Sequence, residues 1–190
     1  MLKTVIFLTT GLLITVFLLY FVFAKHSIPE GKEIHIIDTW ELPDALEEVS
    51  GIAYIGNNLM ACIQDEDGII FIYDMDKRQI ERKIEFAGAG DYESITLAGN
   101  IAYVLRSDGT IYEVSDFLSN NPKIRTLYEY EVSGKNFEGL AYDEKSKRLL
   151  LSIKERSGKE YRPLYSFDLH TERLEEVPVF RIAFSDPIFS

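Results

Sequence analysis

Glu48-Val-Ser-Gly-Ile-Ala-Tyr54, Asp91-Tyr-Glu-Ser-Ile-Thr96 and Asn136-Phe-Glu-Gly-Leu-Ala-Tyr142 are three versions of one phrase, a polar lead-in followed by an apolar strand. Aligning Ile52, Ile95 and Leu140 gives spacings of 43 and 45 residues. A repeat of this length, built from several short strands, is the pattern of β-propeller blades.

Working outward from each entry, the same order of strands and tight turns recurs. In the first repeat Gly51–Ile55, Leu59–Gln64, Ile69–Asp74 and Gln79–Phe86 read as strands. Gly56-Asn57-Asn58 and Asp65-Glu66-Asp67-Gly68 supply turn chemistry between them. The second repeat gives Ser94–Leu97, Ile101–Arg106, Thr110–Val114 and Lys123–Tyr130, and the third Gly139–Tyr142, Arg148–Lys154, Pro163–Asp168 and Arg173–Pro178. Each set is one four-stranded antiparallel blade. A β-sandwich would also hold many short strands, but it leaves the recurring entry unexplained.

The expected fold class is all-β, a partial β-propeller of about three four-stranded blades preceded by an N-terminal transmembrane helix. Its parts are an anchor or signal segment over 1–25, a tether over 26–33 and a propeller domain over 34–190. The blades span about 50–87, 92–131 and 137–179. Ile34–Trp40 reads as a further strand, Leu42–Glu47 as a connector with one helical turn, and Phe180–Ser190 as the start of another element. Propellers usually close with four to eight blades. Three blades make a shortened version of a longer protein the simplest account; completion by oligomerising and an unclosed fold are the others.

Val5–Ala24 is 20 residues without a charge, long enough to span a bilayer core as a helix. A signal peptide has a shorter apolar region, roughly 7–15 residues, so the length favours an uncleaved anchor. Lys3 before the span and Lys25 after it give the positive-inside rule little to act on. A single globular domain after an N-terminal span is most often exported, so the expected location is the cell membrane, single-pass, with the domain extracytoplasmic, on the periplasmic side. No Cys follows the span, which excludes a lipoprotein-type anchor.

Residues 25–190 carry 19 Lys and Arg against 31 Asp and Glu. Such a surface repels nucleic acid, whose phosphates need clustered cations. Cys62, the single cysteine, falls inside a strand and reads as a small apolar residue.

Leu46-Glu-Glu-Val-Ser-Gly-Ile-Ala-Tyr54, Gln64-Asp-Glu-Asp-Gly68, Gly90-Asp-Tyr-Glu-Ser-Ile95, Ser107-Asp-Gly-Thr-Ile-Tyr112 and Asn136-Phe-Glu-Gly-Leu-Ala-Tyr142 with Lys154-Glu155 resemble, in this order, the SdiA-regulated family of YjiK-like β-propellers from bacterial cell envelopes. The resemblance covers roughly Trp40–Leu169. It implies a propeller of five or six blades, an N-terminal export or anchor segment, an extracytoplasmic site and a place for calcium. The family's later blades and their acidic entries are absent from this sequence.

Propeller topology brings the loop entering each inner strand and the loop between the second and third strands to one face. Glu48, Glu93 and Glu138 are therefore expected at the channel entries. Asp65, Glu66, Asp67, Ser107, Asp108, Lys154 and Glu155 are expected on the same face, farther out. Converging carboxylates repel until a cation, a proton or a basic side chain relieves them. Oxygen ligands without His or Cys favour Ca²⁺ over zinc or copper, which makes Glu48, Glu93 and Glu138 the candidate metal ligands. Glu93 and Glu138 align, but the first repeat has Ser50 at that place and Glu48 two residues earlier, which argues against a strict three-fold cage. The competing reading is structural. A Glu before an inner strand bonds backbone N–H groups of the neighbouring blade, and Lys154 pairs with Glu93 or Glu138.

No Gly-x-Ser-x-Gly, His-Glu-x-x-His or phosphate-binding glycine loop occurs. Two functions remain. One is a membrane-tethered, non-catalytic module that binds a ligand or protein on its acidic face, with Ca²⁺ as the expected cofactor. The other is a metal-dependent hydrolase, phosphodiesterase- or lactonase-like, acting through metal-activated water. Few basic residues lie at these loops, so binding is preferred.

Overall fold

The computed structural model describes residues 35–129, 136–154 and 160–187. The expected anchor, the tether and Ile34 lie outside the described residues. The chain divides into Met1–Thr39 and Trp40–Ser190. In the first unit, residues 35–39 hold no strand, and Ile36 and Ile37 are almost fully exposed. Alternation alone makes no strand; a strand needs a neighbour to bond to.

The second unit is all-β, in three antiparallel sheets that follow one another in sequence. The first sheet holds β1 (Val49–Gly56), β2 (Leu59–Gln64), β3 (Asp67–Asp74) and β4 (Gln79–Ala89) in that order. The second holds β5 (Tyr92–Ala98), β6 (Ile101–Arg106), β7 (Ile111–Ser115) and β8 (Lys123–Tyr128). The third runs β9 (Phe137–Asp143), β10 (Arg148–Ile153), β11 (Tyr161–Asp168) and β12 (Arg173–Leu174), with β13 (Phe180–Ala183) also on β11. Asn57 and Asn58, both at positive φ, make the two-residue turn between β1 and β2.

The strand expected over Ile34–Trp40 is thus absent among the described residues, and a second difference lies in the third sheet. The outer strand of the third sheet was expected over Arg173–Pro178, with a new element beginning at Phe180. Instead, Arg173–Leu174 pairs with Phe167–Asp168, and Phe180–Ala183 pairs with Tyr161–Leu164 on the same strand. Pro178 sits in the break, where it has no N–H to give a ladder. Phe180–Ala183 therefore completes this sheet.

Period-two alternation gives every strand two faces, and the sheets use both. Ala61, Ile63, Ile70, Ile72, Ile84 and Phe86 of the first sheet pack on Tyr92, Ile95, Val104, Tyr112 and Val114 of the second. Tyr103, Leu105, Ile111 and Leu127 on the other side of the second sheet pack on Phe137, Leu149, Leu151, Tyr165 and Phe167 of the third. The inner strands also bond directly. Ser94 Oγ accepts from the Leu140 N–H and Thr96 Oγ1 from the Tyr142 N–H, each at 3.1 Å. At the first joint Gly51 stands where Ser94 stands at the second. A Cβ there would lie 2.9 Å from the Ile95 nitrogen, so the bare backbone permits the approach.

The remaining face of the first sheet is covered by the chain itself. A 3-10 turn, Asp44–Leu46, buries Leu46 against Cys62, Phe71 and Tyr73, and Leu42 packs alongside. Cys62 is buried there, and burial pushes its thiol up to about 11, as suits an inert core residue.

Asp74 and Asp168 hold the same place in the first and third sheets and close the same turn. Asp74 accepts from the N–H groups of Asp76 and Lys77, and Asp168 from those of His170 and Thr171. These bonds, led by those from Lys77 and Thr171, hold both carboxyls below their ordinary value. A depressed carboxyl contributes stability that is present above its unfolded pKa and lost as pH falls through the folded one. Acid denaturation of Asp74→Asn and Asp168→Asn should therefore be less steep below about pH 4 than that of the unaltered chain. Superimposable acid limbs would refute this. Gly68 offers a sharper test, since a Cβ there would lie 2.5 Å from the Ala87 carbonyl oxygen. Gly68→Ala should cost about 1–3 kcal/mol in urea unfolding.

Candidate functional site

The first residues of β1, β5 and β9 share one irregularity. Val49 faces Gln64 and Gly51 faces Ile63; Tyr92 faces Arg106 and Ser94 faces Leu105; Phe137 faces Ile153 and Gly139 faces Ser152. In each pair of steps the inner strand advances two residues while its neighbour advances one. Ser50, Glu93 and Glu138 are thus the bulged residues of three equivalent β-bulges. A bulge frees its residue from the ladder and re-aims the side chain, and bulges concentrate beside functional sites.

The same register makes Asp65, Ser107 and Lys154 equivalent in the turn that follows the second strand. The Asp65 carbonyl accepts from the Tyr92 N–H and the Ser107 carbonyl from the Phe137 N–H, both at 2.8 Å. Each such turn is therefore tied to the start of the next sheet's inner strand. This tie brings one blade's turn to the next blade's bulge.

The charges meet around Glu93. Burial raises its carboxyl above the ordinary value, and Asp91, Glu138 and Asp65 raise it further, while Lys154 lowers it. Lys154 Nζ lies 2.7 Å from Glu138 Oε1, the ion pair that the sequence suggested. Ser50 Oγ and Asp65 Oδ1 are buried with no hydrogen-bond partner among the described residues.

Glu48 sits apart from this arrangement in register. It takes the Asp91 and Asn136 position, one residue before the strand. Its side chain lines a cavity of about 270 Å³ with Asp44, Glu47, Glu66, Asp67 and Lys83 beside the first sheet. Glu66 and Asp67 thus go with Glu48, whereas Asp65 goes with Glu93. Asp108 is held by Arg106, whose Nη2 lies 2.6 Å from Oδ2. Glu155 lies outside the described residues. Among the described residues no three His, Cys, Asp or Glu side chains stand as a ready metal cage. Ser50 stands in the place of a third glutamate, so the bulges carry two carboxylates, those of Glu93 and Glu138.

The comparisons fit this architecture. The model of the SdiA-regulated family matches residues 30–177. The chain belongs to the SdiA-regulated family. No curated protein matches it. Among solved structures it is similar to the β-propeller domain of Myceliophteria thermophila Cps50 (Swd1), at 12% identity and a TM-score of 0.49, over 71% of this chain and 45% of that one. It is also similar to a protein of unknown function from Bacteroides thetaiotaomicron, at 16% identity and a TM-score of 0.49, over 67% of this chain and 30% of that one. The computationally designed Ika4 protein aligns at 14% identity and a TM-score of 0.49, over 80% of this chain and 83% of that one. The chain spans less than half the length of the Cps50 propeller domain.

Sequence reasoning found Glu93, Glu138 and Lys154 but not the bulge that groups them. Its trace was the extra residue between the strand's first apolar residue and its glycine or serine. If Glu93 and Lys154 share one rim, Lys154→Met should move the Glu93 titration midpoint up, read by carboxyl carbon NMR. An unmoved midpoint would separate the two groups.

Proposed function

We propose that this member of the SdiA-regulated family is a membrane-tethered, extracytoplasmic binding module whose acidic rim receives a cation or a cationic ligand, Ca²⁺ being the simplest. The observation that supports this reading most is the raised carboxyl of Glu93. Glu93 is partly buried, Asp91, Glu138 and Asp65 raise its carboxyl further, and Lys154 lowers it. Such a carboxylate gains from an added positive charge. Glu93, Glu138 and Asp65 would hold the ion, with water completing a flexible oxygen shell of the kind Ca²⁺ accepts. The ion would supply a positive docking point for a ligand or protein partner. The membrane tether rests on the uncharged run Val5–Ala24, which lies outside the described residues. Among those described, no helix is long and apolar enough to cross a membrane.

Calorimetric titration of the chain with CaCl₂ tests the site. Heat of binding is expected for the unaltered protein, with the affinity reduced at least about tenfold in Glu93→Gln and Glu138→Gln, about 1.4 kcal/mol each. No heat, or equal heat in all three proteins, removes the metal. The pH dependence has a fixed sign. Because the Glu93 carboxyl is raised, it takes up a proton before an ordinary glutamate does as pH falls. Calcium affinity should therefore start to weaken at a higher pH than it would with an ordinary glutamate, and Glu93→Gln should lose that early limb.

A further inference from the structure

Three buried side-chain polar atoms lack a hydrogen-bond partner among the described residues: Ser50 Oγ, Asp65 Oδ1 and the Tyr73 hydroxyl. The tyrosine lies on the face of the first sheet that Leu46 covers. The other two belong together. Ser50 is the bulged residue of β1, and Asp65 directly follows β2, the strand that pairs with it. A buried polar group without a partner costs free energy, and native structures leave few of them.

The third sheet shows how close these two places are. There they hold Glu138 and Lys154, whose charged ends meet at 2.7 Å. Side chains at the two places therefore reach one another. The third sheet fills them with an anion and its own cation. The first fills them with a hydroxyl and a carboxylate, both presenting oxygen. Backbone contacts set this pair beside Glu93. The Asp65 carbonyl accepts from the Tyr92 N–H at 2.8 Å, and a Cβ on Gly51 would lie 2.9 Å from the Ile95 nitrogen. Glu93 stands between Tyr92 and Ile95, at the level of Ser50 and Asp65. The charge of Asp65 is one of those that raise the Glu93 carboxyl. Oxygens from three segments, β1, the turn after β2 and β5, thus share one end of the joint between the first and second sheets.

We infer that Ser50 is a ligand of the rim site, and that its hydroxyl and Asp65 Oδ1 seat the cation at this joint, next to Glu93. The inference rests on the reading of the rim as a cation site and adds the residue that fixes where the ion sits. A neutral hydroxyl beside carboxylates suits a hard cation, since it lends an oxygen and adds no repulsion. The cation is also the partner for both oxygens that the described residues do not supply.

Calorimetry on the full chain tests this. With CaCl₂, Ser50→Ala should bind at least about tenfold more weakly than the unaltered protein. In calcium-free buffer the same variant should unfold at an equal or higher urea concentration, because it removes a buried oxygen that had no partner. With CdCl₂, Ser50→Cys should bind at least about tenfold more tightly than the unaltered protein, since a thiolate prefers the softer ion. Cys62, the only other thiol, is buried. Unchanged calcium affinity in Ser50→Ala, or unchanged cadmium affinity in Ser50→Cys, overturns the role of Ser50 and leaves the rim site standing. Lower calcium-free stability of Ser50→Ala also overturns it, because the hydroxyl then serves the fold. If the unaltered protein takes up no calcium, the rim reading fails and this ligand fails with it.

Discussion

An antiparallel sheet with two apolar faces cannot stand in water on either side, and that constraint organises this molecule. The second sheet meets it twice, burying Val104, Tyr112 and Val114 toward the first and Tyr103, Leu105 and Ile111 toward the third. At about 25 cal/mol per Å² of apolar surface, such joints supply the largest favourable term in the fold. Direct bonds then fix the register. The amides that begin the second and third inner strands are tied to the preceding sheet's turn, from Tyr92 to Asp65 and from Phe137 to Ser107. Nonpolar packing holds the sheets together, and these few polar ties decide how they are aligned.

The chemistry of the rim follows from that alignment. Three equivalent bulges present Ser50, Glu93 and Glu138, and the equivalent residues just after the second strand of each sheet are Asp65, Ser107 and Lys154. The backbone is repeated and the side chains are not. At these positions the first repeat contributes two buried oxygens without partners among the described residues, the second a raised carboxyl, and the third an ion pair. A symmetric scaffold has thus become an asymmetric site, negative toward the first and second sheets and neutralised at the third. Asp108 belongs to the same level of the fold but is bound by Arg106, which withdraws it from the rim.

The two ends of the sheet stack are treated differently. At the first sheet, Leu46 and Leu42 lie over Cys62, Phe71 and Tyr73. At the third, Leu150 and Leu164 line an open groove. Arg162 also donates to the carbonyls of Ile153 and Lys154. The Lys154 carbonyl stands where, in the other two sheets, the next inner strand binds. The backbone polarity of this edge is therefore met by Arg162.

Much of this was legible in the residues. The short apolar runs Leu59–Gln64 and Ile101–Arg106 read as strands because they are only six residues long and are bounded by Asn and Gly turns, and strand and turn preferences are local. The recurring entry around Ile52, Ile95 and Leu140 fixed the repeat for the same reason. The break at Pro178 was present in the sequence, but the return of Phe180–Ala183 to the same strand was not, since pairing depends on which edge is free. Likewise, the sequence set the residue types at the rim and the equivalence of Ser50, Glu93 and Glu138. Only the folded chain decided that Glu93 is partly desolvated beside Asp65 while Glu48 turns to another cavity. Charge interactions and burial depend on distances through space, and a bulge of one residue changes those distances without altering the pattern that marks the strand.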